Sequence, residues 1–482
     1  MTTSQLSELP IDADPHAPQP AGPVTTHPHD THPHDAHPQG DRLHGAPAPG
    51  AHPIAPDGFG PAPPRRTSLP HCFPAPGLRA AQQPDWPDPE ALAEAVAGLA
   101  AAPGLVLPQE IDSLRERLAA VARGAAVLLQ GGDCAETFDG VSQDQVSAKF
   151  RTINQMAAVI GEGAALPVVT IGRMAGQYAK PRSSAHETRD GITLPSYRGD
   201  LVNGVGFTPE SRTPEPRRLG RAYQTSATTL NLLRAFSAHH RTEFWTSHEA
   251  LVLEYECALT RVIPQGIYNL SAHTVWVGER TRQLDGAHVD YAAHIRNPVA
   301  VKVGPSTTPD DLIALIERLD PDREPGRLTF VSRMGAGAVR EVLPDLVAKV
   351  TAQGSPAIWI CDPMHGNTFS AQDGFKTRHL NDIVDEVRGF FEVHRTLGTH
   401  AGGVHIELTG EHVTECLGGV YEVTPSHLPT RYETTCDPRL NRAQSLDLAR
   451  ELAGLYATHR INRREHHAEP HPRRVLSPYA RA

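Results

Sequence analysis

The stretch Ala300–Ile360, AVKVGPSTTPDDLIALIERLDPDREPGRLTFVSRMGAGAVREVLPDLVAKVTAQGSPAIWI, decides the fold. Three short apolar runs lie in it. Ala300-Val301 leads into Lys302, Leu328 to Val331 precedes Arg333, and Ile358 to Ile360 precedes Asp362 and His365. Between the runs are two segments of helical character. Thr307-Thr308-Pro309-Asp310-Asp311 supplies an N-cap, a proline in the first turn and acids at the positive end of the dipole. It predicts a helix over 311–319. The spacing of apolar residues predicts a second helix over 339–352, ending near Gly354. Strand, helix and strand at this spacing imply right-handed crossovers and a parallel sheet.

The same unit recurs on both sides. Upstream are Val127 to Leu129 before Gln130 to Cys134, Val168 to Ile171 before Arg173, Phe244 to Thr246 before His248-Glu249, and Thr274 to Val277 before Glu279-Arg280. Downstream, Val404 to Ile406 leads into Glu407. Helices are expected over 380–397 and 445–459. Two further helical patterns, 87–102 and 108–123, precede the first strand and are expected to decorate or cap the sheet. The predicted fold class is α/β, a (β/α)8 barrel with an N-terminal helical extension. An open doubly wound sheet would more often carry a phosphate-binding glycine turn after its first strand. Here Gly131-Gly132-Asp133-Cys134 is not that turn, and Gly335-Ala336-Gly337 lacks a third glycine.

Two segments are expected. Residues 1–75 are rich in Pro, His, Ala and Gly and lack apolar periodicity, which predicts a disordered tail. Residues 76–482 form the barrel domain with its preceding helices. The histidine run from His27 to His37 is a loose metal binder or a solvated tail; its prolines bar a fixed ligand geometry.

Composition excludes several classes. The 482-residue chain has a net charge of -10, which argues against a general nucleic-acid or membrane surface. No apolar stretch approaches the roughly 20 residues needed to span a bilayer. No basic segment followed by an apolar one opens the chain, so a secretory signal is not expected. The 6 cysteines are scattered, which suggests reduced thiols and a cytoplasmic protein. Cys361, Cys416 and Cys436 read most simply as small core residues. Only five lysines occur, at 149, 180, 302, 349 and 376, which points to selection for chemistry or to codon drift.

A closed parallel barrel places every strand's carboxyl end on one face, and its first, seventh and eighth strands become neighbours. Cys134, His365 and Glu407 then converge, with Asp437 in the loop beyond the eighth strand. Singly, such a cysteine is usually packing and such a histidine a structural group. Together, thiolate, imidazole and carboxylates suit a borderline divalent ion, Mn, Co, Fe or Zn. His405 competes, because it shares a strand face with Glu407. A second cluster is cationic. Arg173, Arg280, Lys302 and Arg333 end strands two, four, five and six, and Lys180-Pro181-Arg182-Ser183 follows strand two. So many cations on one rim imply an anionic ligand, since buried charge is costly without a partner. Salt bridges with Glu136, Glu249 and Glu279 would account for one or two of them. A metal beside such a cradle implies a small phosphorylated substrate with a polarisable carbonyl.

These residues lie in longer motifs. Leu129 to Phe138, Gly172 to Ser183, Val277 to Arg282, Ser332 to Gly335, Asp362 to Thr368 and Gly403 to Gly410 together resemble the type II (plant-like) 3-deoxy-D-arabino-heptulosonate 7-phosphate (DAHP) synthases. The resemblance runs from about Ala80 to Arg460. It implies a (β/α)8 barrel that condenses phosphoenolpyruvate with erythrose 4-phosphate in the first step of the shikimate pathway. It implies a divalent metal on Cys134, His365, Glu407 and Asp437. It assigns Arg173, Glu279, Arg280, Lys302 and Arg333 to phosphoenolpyruvate, with Lys302, Glu279 and Arg333 in catalysis. Lys180, Arg182 and Ser183 fall to the aldose phosphate. Longer members carry a helical insertion before the Ser-His-Glu strand that helps bind aromatic amino-acid inhibitors. Here Leu232-Leu233-Arg234 leads almost directly into Phe244, so a short form serving secondary metabolism is expected, with weak or absent feedback. A homo-oligomer is expected; a chorismate mutase partner stays open. Condensation with another aldose phosphate and a non-catalytic metal-binding protein are the alternatives.

Overall fold

The computed structural model describes residues 77–467; the expected tail, its histidine run and Cys72 lie outside them. Eight parallel strands close into a barrel: β1 (Val127–Gly132), β2 (Val168–Arg173), β3 (Trp245–Glu249), β4 (Thr274–Val277), β5 (Val299–Val303), β6 (Leu328–Ser332), β7 (Ile358–Cys361) and β8 (Gly403–Glu407). Each pairs with its sequence neighbours, and β1 closes on β8 with Gly132 opposite Glu407 and on β2 with Gly132 opposite Arg173. The β3 strand starts one residue later than the apolar run. Phe244 instead packs on Phe150 with ring centroids 5.1 Å apart.

Six helices form where the sequence predicts them, and three more, over 143–164, 218–240 and 287–294, fill crossovers for which no range is predicted. They are α1 (Pro89–Ala101), α2 (Pro108–Ala122), α3 (Gln143–Ala164), α4 (Arg218–His240), α5 (Ala287–His294), α6 (Pro309–Leu319), α7 (Val339–Ala352), α8 (Leu380–Thr396) and α9 (Arg442–His467). At α6 the expected cap forms a closed box: Asp311 N–H donates to Thr308 Oγ1 (3.2 Å) and Thr308 N–H to Asp311 Oδ2 (2.9 Å). Ser142 does the same for α3 with Gln145. The last helix begins earlier than its apolar pattern, because Asn441 Oδ1 accepts from Gln444 N–H at 2.9 Å.

The two N-terminal helices play different parts. Leu114, Leu118 and Val121 of α2 are buried against Leu128, Ile171, Trp245 and Ile360, so α2 plugs the amino-terminal end of the barrel. Each such side chain contributes about 1.5–3 kcal/mol on burial. The α1 helix packs beside the barrel against α4 and the short helix Leu253–Ala258. Strand period two then sorts the interior into levels. Val169 and Ile171 on β2 and Ala300 on β5 fill the lower level, and Arg173 and Lys302 two residues further on reach the upper one. That sequence of apolar floor and charged rim puts the chemistry at the carboxyl ends of the strands.

Candidate active site and metal centre

A cavity of about 220 Å³ opens at that rim. Every expected site residue lines it except Glu407, which lies beneath it with no exposed surface. Three residues named there as an alternative source of neutralisation behave differently from that expectation. Glu136 binds backbone N–H groups, Glu279 pairs with Arg282, and Glu249 Oε1 has no hydrogen-bond partner among the described residues. Arg173 is neutralised by Glu407 (3.1 Å) and Lys302 by Asp362 (2.9 Å). Neither Arg280 nor Arg333 has a carboxylate within 4.0 Å among the described residues. Among the described residues the Arg333 guanidinium donates to the His365 carbonyl, at 3.3 Å. These two guanidiniums and the Lys302 ammonium form a cationic rim over β4, β5 and β6.

The opposite rim holds the metal candidates. Sγ of Cys134 and carboxylate oxygens of Glu407 and Asp437 all lie within 4.8 Å of one another. His365 sits at the edge of this trio, with Nε2 3.1 Å from Glu407 Oε1. Its Nδ1 is 2.7 Å from Asp362 Oδ2, the kind of outer partner that orients a ligating imidazole. Lys180 Nζ stands among the donors: it contacts Cys134 Sγ, and lies 2.5 Å from Asp437 Oδ2 and 3.7 Å from Glu407 Oε1. An ammonium thus marks where the donor set holds positive charge. Glu407 Oε2 is 2.8 Å from Arg378 without hydrogen-bond alignment, and it has no hydrogen-bond partner among the described residues. A buried thiol and two carboxylates around one point, with an imidazole at their edge beside Glu407, fit a borderline divalent ion.

The electrostatics agree with the donor geometry. Burial favours a neutral Glu407, but His365, Lys180 and Arg378 outweigh it and hold the carboxyl well below its usual range. Burial likewise opposes the charge on Asp437, and Lys180, Arg378 and His365 together outweigh it, so this carboxyl is also depressed. The Cys134 thiol is pushed well above its usual range by burial, contact with Cys436 and the Glu407 charge. Burial pulls the Lys302 ammonium down, and Asp362 only partly restores it. Burial raises the Glu249 carboxyl.

Several expected placements differ. Lys180, assigned to the aldose phosphate, points into the donor trio. Arg182 pairs with Glu187 at 3.0 Å, and Ser183 is exposed at the cavity edge. Arg173 is 1% exposed, with its guanidinium on the carbonyls of Asp133 and Cys134, on Glu407 and on His405, stacked 5.1 Å from Trp276. His405 lies one level lower. Its Nδ1 meets Gln130 Oε1 at 2.7 Å and its Nε2 meets the Arg173 guanidinium, so both ring nitrogens are engaged outside the donor trio. Cys436 is not part of the main core but packs with Cys134 and Tyr197, while Cys361 and Cys416 are core residues as expected.

The sequence places Glu249 only as a salt-bridge partner, Asp362 only at the end of an apolar run and Lys376 only among the five lysines, and it gives no part to Gln177, Trp276 or Arg378. Glu249 and Asp362 end apolar runs, and strand period two turns both toward the barrel interior. Lys376 reaches Asp437 Oδ1 at 3.0 Å from the hairpin of Phe369–Ser370 with Lys376–Thr377. Arg378 follows it; neither lies near a strand end in sequence. Three of the five lysines, Lys180, Lys302 and Lys376, line the cavity, and Lys149 pairs with buried Asp133 beside it.

Residues 76–240 and 236–453 match the class-II DAHP synthetase family. A phospho-2-dehydro-3-deoxyheptonate aldolase of Streptomyces coelicolor is 53% identical over 430 aligned residues, covering 79% of this chain and 96% of that protein. The phospho-2-dehydro-3-deoxyheptonate aldolase AroG of Mycolicibacterium smegmatis is 46% identical over 426 residues, covering 77% of this chain and 91% of that protein. Among solved structures, a DAHP synthase of Thermotoga maritima aligns over 70% of each chain at 12% identity with a TM-score of 0.35. With two relatives near half identity and a family match over most of its length, the chain belongs to the class-II DAHP synthetase family.

Proposed function

We infer that this chain is a 3-deoxy-7-phosphoheptulonate synthase, condensing phosphoenolpyruvate with erythrose 4-phosphate to DAHP and inorganic phosphate. One observation carries the reading: a thiol–carboxylate donor trio and two guanidiniums with no carboxylate partner among the described residues face each other across one cavity. In this reading Arg280, Lys302 and Arg333 hold the phosphate and carboxylate of phosphoenolpyruvate. Arg173 shapes that pocket from below. Arg182 and Ser183 at the cavity edge receive the aldose phosphate, and Lys180 joins them from the donor trio.

Cys134, His365, Glu407 and Asp437 would hold the divalent metal, Mn, Co, Fe or Zn, which supplies Lewis-acid polarisation of the aldehyde oxygen when bound. The enol carbon of phosphoenolpyruvate forms the new bond to the aldehyde carbon. Water adds at the second carbon of phosphoenolpyruvate, and the hemiketal phosphate expels inorganic phosphate. One water enters and one phosphate leaves. Lys302 and Glu279 handle the protons: Glu279 Oε2 is buried with no hydrogen-bond partner among the described residues. Fixing both anions before reaction makes orientation a large part of the rate gain.

Feedback by Phe, Tyr and Trp is weak or absent in this reading. The α4 helix ends at His240 and β3 starts at Trp245, so only residues 241–244 join them. The family match divides at residues 236–240, the same place. The chain's 79% share of 482 residues is about 380, fewer than the 430 aligned positions, so the Streptomyces protein has residues with no counterpart here. A short, unregulated form suits secondary metabolism. We also propose a cytoplasmic homo-oligomer whose tail, residues 1–75, is dispensable for turnover. Among the described residues no helix is long and apolar enough to cross a membrane.

The decisive assay follows phosphoenolpyruvate consumption with erythrose 4-phosphate, with chelator and with each divalent ion restored in turn. Turnover that chelator abolishes and a metal restores is expected. No turnover under any ion, or equal turnover with other aldose phosphates, overturns the reading. Deleting residues 1–75 should leave turnover intact, whereas a metal store would lose capacity.

A further inference from the structure

We propose that Glu136 is a positioning residue, setting the distance between the Cys134 thiol and the chain segment that carries Lys180, Arg182 and Ser183. Glu136 is 4% exposed and forms no ion pair within 4.0 Å among the described residues. Its carboxylate is spent on backbone instead. Oε2 accepts from Ala175 N–H at 3.1 Å, and Oε1 accepts from Gly176 and Gln177 N–H at 3.0 and 2.9 Å. Its own N–H donates to the Gln177 carbonyl at 2.7 Å. Three successive N–H groups converging on one carboxylate make an anion nest whose occupant is a side chain.

The nest has to be held. Ala175 sits at φ +62°, a region that costs a residue with a Cβ unless its surroundings impose it. A Cβ on Gly176 would stand 2.3 Å from His248 Nδ1, so the turn is also confined from the other side. The next residue, Gln177, uses its carboxamide to donate to the carbonyls of Cys134 (3.4 Å) and Ala179 (3.1 Å). Its Oε1 accepts from Glu249 N–H at 2.8 Å. Glu136 therefore fixes Gln177, and Gln177 ties the loop of β1 to the loop of β2 one residue before Lys180. Glu136 is itself two residues beyond Cys134, so one carboxylate spans the two halves of the site.

This inference rests on the reading that Arg182 and Ser183 receive the aldose phosphate. The test is E136Q, which keeps the shape but turns an NH2 group toward N–H donors, leaving at least one without an acceptor. Circular dichroism and thermal unfolding establish that the variant is folded. The KM for erythrose 4-phosphate should rise about tenfold or more, as for loss of a charged hydrogen bond, while that for phosphoenolpyruvate stays within about twofold. E136D keeps the charge but shortens the reach, and should show the same split at smaller amplitude. Unchanged KM values, or equal rises for both substrates, overturn the proposal; so does failure of both variants to fold, which would make Glu136 a folding determinant. R182A separates the two layers. If R182A leaves the KM for erythrose 4-phosphate unchanged, the substrate assignment itself fails. If R182A raises it and E136Q does not, only the positioning role fails.

Discussion

The Lys180 ammonium nitrogen lies 2.5 Å from Asp437 Oδ2, inside the trio of Cys134, Glu407 and Asp437. A side chain expected at the substrate's phosphate occupies the point where donors for a cation converge. The two roles conflict only while both charges claim one place.

Lys180 and a divalent ion should therefore compete. K180M should bind Mn or Co more tightly than the parent protein, while losing turnover with erythrose 4-phosphate. A like charge at 4 Å is worth about 4 kcal/mol at an effective dielectric of about 20, and a third of that is tenfold in affinity. Calorimetric titration of the metal alone, without substrate, reads this out. Equal or weaker binding would show that the ammonium does not oppose the ion.

Cys134→Ser should lower metal affinity by more than the roughly 10–100-fold seen for outer-shell partners, and turnover with it. The parent's affinity should also rise with pH. Burial keeps the Cys134 thiol protonated well above the usual range, and a bound cation requires the thiolate. Titrations at several pH values in buffers of different ionisation enthalpy should show proton release on loading. A pH-independent affinity would remove the thiol from the ligand set.

Arg333→Ala and Arg280→Ala should each raise the KM for phosphoenolpyruvate by about 10-fold or more, at about 1.5–3 kcal/mol per charged hydrogen bond. Among the described residues neither guanidinium has a carboxylate partner to leave behind, so thermal stability should hardly change. Steady-state kinetics beside a melting curve separates the two effects. A large loss of stability with unchanged KM would make these arginines structural.

Gly278→Ala tests the cavity wall beside β4. A Cβ there would stand 2.1 Å from Glu249 Oε1, so the carboxyl must swing away while the backbone stays put. Stability should change by less than about 1 kcal/mol, whereas a displacement of about 1 Å in a reacting site can cost around 100-fold in rate. Parent-like kcat in this variant would free Glu249 from any part in the reaction.

Asp133→Asn should destabilise the protein by about 3–5 kcal/mol at neutral pH, because it strands buried Lys149 without its carboxylate. Burial opposes the Asp133 charge, but Lys149 and Arg439 outweigh it and hold the folded-state carboxyl below its usual value. A depressed carboxyl adds stability that is fully present above the unfolded pKa near 4 and is lost as pH falls through the folded value. In denaturant unfolding the gap between parent and variant should therefore begin to close as pH falls below about 4 and keep narrowing toward the lower folded-state value. A gap that does not change with pH in acid would place the effect in packing.

The strands and helices were legible because their signals are local. Period-two burial gave β5 with Lys302 inside, and Thr308-Pro309-Asp310-Asp311 gave the start of α6. The barrel's strand order followed, and with it the meeting of Cys134 with Glu407. Arg378 was not legible: it contacts Glu407 from a hairpin exit, 29 positions away along the chain, where no periodicity points. Glu136 was taken as a partner for cations because charge suggests charge. Its actual partners are backbone N–H groups, which every residue type carries and no sequence displays.

Sequence by itself determined the order of elements, the closed parallel sheet and the residue types gathered at its rim, since each depends on spacing within a few turns of chain. Only the tertiary structure decided that Lys180 enters the donor trio, that Arg280 and Arg333 find no carboxylate among the described residues, and that the buried Glu136 carboxylate takes up the backbone N–H groups of residues 175–177. Those outcomes are competitions among charges brought close by folding, and distance, burial and the number of rival partners settle them only once the ring is closed.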